Sequence, residues 1–209
     1  MSKLTSSLST GPVPVAPSSR GAKTRERIFS AAMQILSDGQ SEDINIEQLA
    51  AAAGVSKGTV YYTFGSRAQL PQVLLDYGTE RLRAAVLRAT ESVRDPRQGL
   101  QQGIYASFEF LYEHPGFARM WLQEGSRQVG FSQELLGLRQ DVLGDLHRMV
   151  SRLALNYHPD SAQDVSAISV ALFGAMFMLS VDRTVHGTQR SAEDATRTVM
   201  LIVDGYIHL

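Results

Sequence analysis

Apolar residues recur three and four positions apart along almost the whole chain, and no stretch alternates apolar and polar residues long enough to make a strand. The pattern predicts an all-α protein. Helical stripes run over residues 24–36, 46–53, 57–64, 66–89, 98–113, 117–124, 134–155, 162–185 and 192–207, about nine helices in all. They are separated by breakers: Gly54, Asp95-Pro96, His114-Pro115-Gly116, a loop over 125–130 and Tyr157-His158-Pro159. Residues 1–20 carry no helical period and are rich in Ser, Thr and Pro, so they read as a disordered tail.

The most specific stretch is 45–70, NIEQLAAAAGVSKGTVYYTFGSRAQL. Asn45 is placed to cap one short helix, with Gln48 three residues on to complete a capping box. Leu49, Ala50 and Ala53 then form a narrow inward face, and Gly54 ends the helix because glycine adopts the left-handed conformation without a steric penalty. Ser56 caps a second helix whose inward residues are Val60 and Phe64. Its outward face is Lys57, Gly58, Thr59, Tyr61, Tyr62 and Thr63. Two short helices around a tight turn are a helix-turn-helix, which lays its second helix in the DNA major groove. A lysine in a first turn opposes the helix dipole, and exposed tyrosines do nothing for stability, so this face is chosen for something other than folding.

The run AAAGVSKGTVYYTFGSRAQL resembles the signature of the TetR family of bacterial transcriptional regulators, and the likeness extends upstream through residues 24–36 as that family's first helix. Thr63 stands where the family often has a ring and Arg67 where it usually has Lys; the hydroxyl and the charge keep phosphate contacts available. The resemblance implies a DNA-contacting set of Asn45, Ser56, Lys57, Gly58, Thr59, Tyr61, Tyr62, Thr63 and Arg67. Lys57, Gly58, Thr59 and Tyr61 are expected at bases or adjacent phosphates, and Tyr62, Thr63 and Arg67 on the backbone. It also implies a helix-turn-helix head over 21–68 and a helical body over 69–209 for ligand binding and dimerisation.

Charge alters this picture little. The formal net charge is −1, yet the chain through Arg67 balances at +2 and the remainder at −3, and all three lysines lie in the positive part. Cysteine is absent, which removes disulfides, thiolate metal sites and thiol nucleophiles and makes the cytoplasm the expected compartment. The tail lacks the apolar stretch of a signal peptide. The uncharged run 165–181 has nearly the length of a membrane span, but Asp164 and Asp182 bracket it and no basic or aromatic anchors flank it, so it reads as a buried helix. No membrane partner is expected.

The body is larger than dimerisation alone requires. Tyr105, Phe108, Met120, Trp121, Phe173 and Phe177 are candidates to line a cavity for a small hydrophobic or amphipathic effector, although residues of this kind at helical spacing are also ordinary core. The last two helices carry spare apolar surface together with Ala171, Gly174, Ala175 and Ser180, and the family's corresponding helices form a four-helix dimer interface. The five histidines have no metal-site spacing, and neither a phosphate-binding loop nor a nucleophile elbow is present, so no metal, cofactor or enzymatic activity is expected. The reading is a homodimeric regulator, most simply a repressor, released from a palindromic double-stranded DNA operator by an effector. The alternative is a DNA-binding regulator without an effector, gated by a protein partner or by concentration.

Overall fold

In the computed structural model, residues 19–37, 44–127, 133–159 and 164–208 are described. The tail reading, apart from Ser19 and Arg20, and the expected helix start at Ala162 lie outside them. Nine helices and no strands are present among the described residues: α1 Ser19–Ser37, α2 Ile46–Ala53, α3 Lys57–Phe64, α4 Leu70–Thr90, α5 Pro96–Glu113, α6 Pro115–Arg127, α7 Gln133–Tyr157, α8 Val165–His186 and α9 Ala192–Ile207.

Caps explain most of the boundaries. Asp95, Asp164 and Ser191 accept from the backbone N–H three residues on, at 2.7, 3.0 and 3.0 Å, and start α5, α8 and α9. Several bounds differ from the sequence reading. The first helix begins at Ser19, ahead of Thr24, whose hydroxyl donates to the Arg20 carbonyl inside the extra turn. At the expected start, residue 66, Ser66 and Gln69 bond reciprocally, with the Ser66 N–H on Gln69 Oε1 at 3.1 Å and the Gln69 N–H on Ser66 Oγ at 3.4 Å, yet 67–69 is a turn and α4 starts at Leu70. Pro71 has no N–H to carry the ladder from that turn into the helix. Pro115 sits at the first position of α6, where its missing donor is harmless, and α6 runs on through 125–127, which the sequence placed in a loop.

Two apolar clusters form the interior. The first joins Ile28, Phe29, Met33 and Leu36 of α1 to Leu49 of α2, Val60 and Phe64 of α3, Leu70, Leu74 and Leu75 of α4, and Phe117 of α6. The second lies among α5, α7, α8 and α9, around Ile104, Phe108, Val150, Leu172 and Val199. The first cluster therefore joins the three N-terminal helices to α4 and α6. α1 packs on α6 so closely that a Cβ at Gly116 would lie 2.3 Å from the Met33 carbonyl oxygen. α4 spans both parts. Its first half is buried with the head, while farther along Arg83 Nε donates to Asp145 Oδ2 of α7 at 2.6 Å.

α8 is the one helix among the described residues long and apolar enough to cross a membrane, over Val165–Arg183, and only 22% of that window is buried. The exposure is one-sided. Leu172, Ser169, Ser180 and Val181 pack inward, whereas Val170 and Met178 are exposed, as are Leu201 and Ile202 on α9.

Candidate nucleic-acid interface

α2 and α3 are held at a fixed angle by their caps. Asn45 Oδ1 accepts the Glu47 N–H at 2.8 Å, one position earlier than a capping box with Gln48 requires. Gly54 closes α2 at φ 62°, ψ 41°, with its N–H on Ala51 O at 3.1 Å and the Val55 N–H on Ala50 O at 2.9 Å. Ser56 Oγ accepts the Thr59 N–H at 3.1 Å and opens α3. Val60 and Phe64 are both 1% exposed, so α3 is pinned by its inward face. Its outward face stands free: Tyr61 is 47% exposed and Tyr62 93%. Lys57, Gly58 and Arg67 are exposed beside them.

The remaining expected contacts have duties within the protein. Asn45 and Ser56 are caps, so they orient helices whether or not they touch a ligand. Thr63 Oγ1 donates to the Thr59 carbonyl at 2.7 Å, which engages the hydroxyl proton that the sequence reading offered to a phosphate. Thr59 Oγ1 lies 2.9 Å from Ser56 Oγ in the cap. Gly58 differs from these: a Cβ there would meet nothing closer than Ser56 Oγ at 3.7 Å. Nothing in the free protein requires glycine at that position.

Two residues that the sequence reading missed shape this surface. Arg27 of α1 donates from Nη2 to the carbonyls of Ala53, at 2.6 Å, and Gly54, at 2.9 Å, satisfying oxygens left open at the end of α2. Glu47 of α2 forms an ion pair with Lys57, and the hydrogen bond and charge of that lysine hold the carboxyl below its usual range. No local pattern marks either residue, because each partner comes from another helix. Behind the head, the Tyr77 hydroxyl donates to Glu26 at 2.9 Å, Arg81 pairs with the same carboxylate, and Phe29 stacks edge-on to Tyr77 at 5.3 Å, which ties α1 to α4.

Farther along α4 a partly open void of about 50 Å³ is walled by Leu82, Leu111, Phe117, Trp121, Phe173 and Phe177. Phe173 and Phe177 lie parallel at 6.1 Å, and Trp121 sits 5.9 Å from each ring. The Trp121 indole N–H is buried without an acceptor, which is uncommon for so strong a donor. Of the six expected wall residues, Trp121, Phe173 and Phe177 stand at this void and three do not. Phe108 is fully buried in the second cluster, Met120 belongs to the first, and Tyr105 lines an open groove between α5 and α9. All six have helical spacing; the directions of the neighbouring helices separate them.

Comparison with known proteins follows the same division. Residues 28–72 match the family described as bacterial regulatory proteins, tetR family. The HTH-type transcriptional regulator EthR of Mycolicibacterium smegmatis is 28% identical over 114 residues, 54% of this chain and 52% of that protein. The HTH-type transcriptional repressor NicS of Pseudomonas putida is 25% identical over 131 residues, 61% of this chain and 62% of that protein. The matched stretch thus spans less than two thirds of either relative. In fold the likeness is longer: FadR from Bacillus subtilis, determined in complex with stearoyl-CoA, superposes with a TM-score of 0.73 over 86% of this chain and 98% of its own, at 16% identity. Residues 28–72 are thus similar to the helix-turn-helix segment of the bacterial regulatory proteins of the tetR family, and the described helices share the fold of FadR.

Proposed function

We propose that this chain is a homodimeric, effector-responsive repressor that binds a palindromic operator in double-stranded DNA, with a head over 21–68 and a body over 69–209. The carrying observation is the outward face of α3, where Tyr61, Tyr62, Lys57 and a glycine with no packing role stand exposed on a helix immobilised from behind. Lys57, Gly58, Thr59 and Tyr61 meet base edges or adjacent phosphates. Tyr62 and Arg67 hold the backbone, Thr63 adds its hydroxyl oxygen, and Asn45 and Ser56 set the helix ends.

A second copy covers the exposed stripe of α8 and α9. Val170, Met178, Leu201 and Ile202 are large apolar residues in water, and Ala171 and Gly174 between them allow close approach. This reading accounts for the apolar length of α8 without a membrane and places the protein in the cytoplasm. A two-fold dimer carries two copies of α3 spaced by about one turn of DNA, roughly 34–36 Å, or a multiple of it.

An effector in the Trp121 void binds the DNA-incompetent arrangement of the heads better than the competent one, and α4 transmits the difference. FadR holds stearoyl-CoA; at 16% identity that likeness carries the fold, and the effector reading here rests on the void and its unpartnered indole N–H. The void's small size favours the second reading, a regulator gated by a partner or by concentration. Sedimentation and DNA titration of the Leu201→Arg, Met178→Arg variant test the proposal. Loss of the dimer together with operator binding supports it, and a monomeric wild type that binds a single half-site contradicts it.

A further inference from the structure

Three spaces lie in series from the surface to Trp121. An open groove of about 410 Å³ between α4 and α7 is bordered by Arg83, Arg148, Arg152 and Asp145. Arg83, Val86, Asp145 and Met149 are also walls of a smaller void beneath it, of about 50 Å³. That void in turn shares Leu82, Ser107, Phe173 and Met176 with the Trp121 void. The sequence of spaces therefore changes character: charged at the mouth, where Arg83, Arg148 and Arg152 stand with Asp145 and Asp141, and aliphatic and aromatic within.

Asp145 is the carboxylate shared by two of these arginines. Asp145 accepts from Arg83 Nε at 2.6 Å and pairs with Arg148, and Arg83 also lies 3.5 Å from Asp141. The hydrogen bond to Asp145 raises the Arg83 pKa. This cluster is a polar link between α4 and α7.

We infer that the effector is a single-chain amphiphile with an anionic head, carboxylate or phosphate, which takes the place of Asp145 on Arg83 and Arg148 while its chain runs inward past Met149 and Phe173 to Trp121. The inference rests on the effector reading given above. Arginine suits the head because its planar fork bonds two oxygens at once. Met149 suits the passage because an unbranched thioether side chain rearranges readily. Binding exchanges the bridge between α4 and α7 for a bond to the ligand, so the arm that carries the head is released from the body.

Trp121 is the only tryptophan in the chain, so intrinsic fluorescence reads the inner end of the path directly. Decanoate, decyl phosphate and 1-decanol are titrated against the full-length protein, its Arg83→Gln, Arg148→Gln variant and its Asp145→Asn variant, each checked for a cooperative melt. The expected result is that one or both anions shift Trp121 emission and bind about tenfold or more tighter than decanol, from charge-assisted hydrogen bonds. The double arginine variant loses that preference, and Asp145→Asn, with the competing charge removed, binds the anion more tightly than wild type. The decanoate and decyl phosphate arms distinguish the two head groups. If decanol binds as well as the anions, or Asp145→Asn weakens the anion, the head-group assignment falls while the void remains an effector site. If none of the three perturbs Trp121 in folded protein, the effector reading falls with it.

Discussion

Arg27 and Gly54 meet where the first helix crosses the end of the second: Arg27 Nη2 donates to the Gly54 carbonyl at 2.9 Å and lies 2.7 Å from where a Cβ at position 54 would stand. Glycine at 54 thus serves two ends, the left-handed backbone at φ 62° and room for the guanidinium that caps α2. Gly54→Ala should destabilise the protein by about 1–2 kcal/mol from the backbone conformation alone, with more from displacement of Arg27. Urea unfolding measures it, and an unchanged midpoint would contradict the assigned geometry.

Gly58 predicts the opposite combination. Its Cβ position is open and it lies in the first turn of α3, so Gly58→Ala should raise the stability of the free protein, by at most about 0.5–1 kcal/mol, the mid-helix value. The added methyl stands on the face assigned to DNA, and operator affinity should fall. Thermal melts paired with DNA titration separate the two effects. A variant that is more stable and binds DNA unchanged would remove Gly58 from the interface.

Glu47 competes with DNA for Lys57 in the free protein. Glu47→Gln frees the ammonium and removes a negative charge from the surface, so DNA affinity should rise, most for non-specific duplex and at low salt. Fluorescence anisotropy over a salt series reads this. An affinity lower than wild type on every sequence would mean that Glu47 itself contacts the operator, for instance by accepting from a cytosine amino group.

His114 gives the junction of head and body a pH dependence. It lies between Phe29 and Phe110, with ring centroids at 5.2 and 4.8 Å, and burial, with a smaller contribution from Arg81, lowers its pKa from the ordinary value of 6.5. The folded state therefore binds this proton less readily than the unfolded state. The stabilisation is complete above the unfolded value and is lost as pH falls through the folded one. Urea midpoints should drop between pH 7 and pH 5 in the wild type and drop less in His114→Phe, which keeps a ring between its neighbours. Equal slopes would assign the dependence to other groups.

What could be read from the chain was local. Gly54, Ser56 and the inward pair Val60 and Phe64 announce themselves within a few residues of the structure they make, because caps and helical stripes are short-range chemistry. What escaped was set by partners far along the chain. Arg27 is 26 residues from the carbonyl of Ala53 that it caps. Phe108 and Phe173 have the same spacing signature, yet one is core and the other walls a void, since that depends on where α4, α6 and α7 run. The start of α4 was misplaced for a nearer reason: Pro71 interrupts the ladder just after the reciprocal Ser66 and Gln69 bonds.

The central claim, that two copies of the exposed α3 face read DNA together, is tested most directly by selecting bound duplexes from a random pool with the purified full-length protein and sequencing them. The account predicts enrichment of an inverted repeat whose half-sites are spaced by about one helical turn or a multiple of it, with Tyr61→Ala altering the recovered sequence. A folded dimer that enriches no sequence would contradict it.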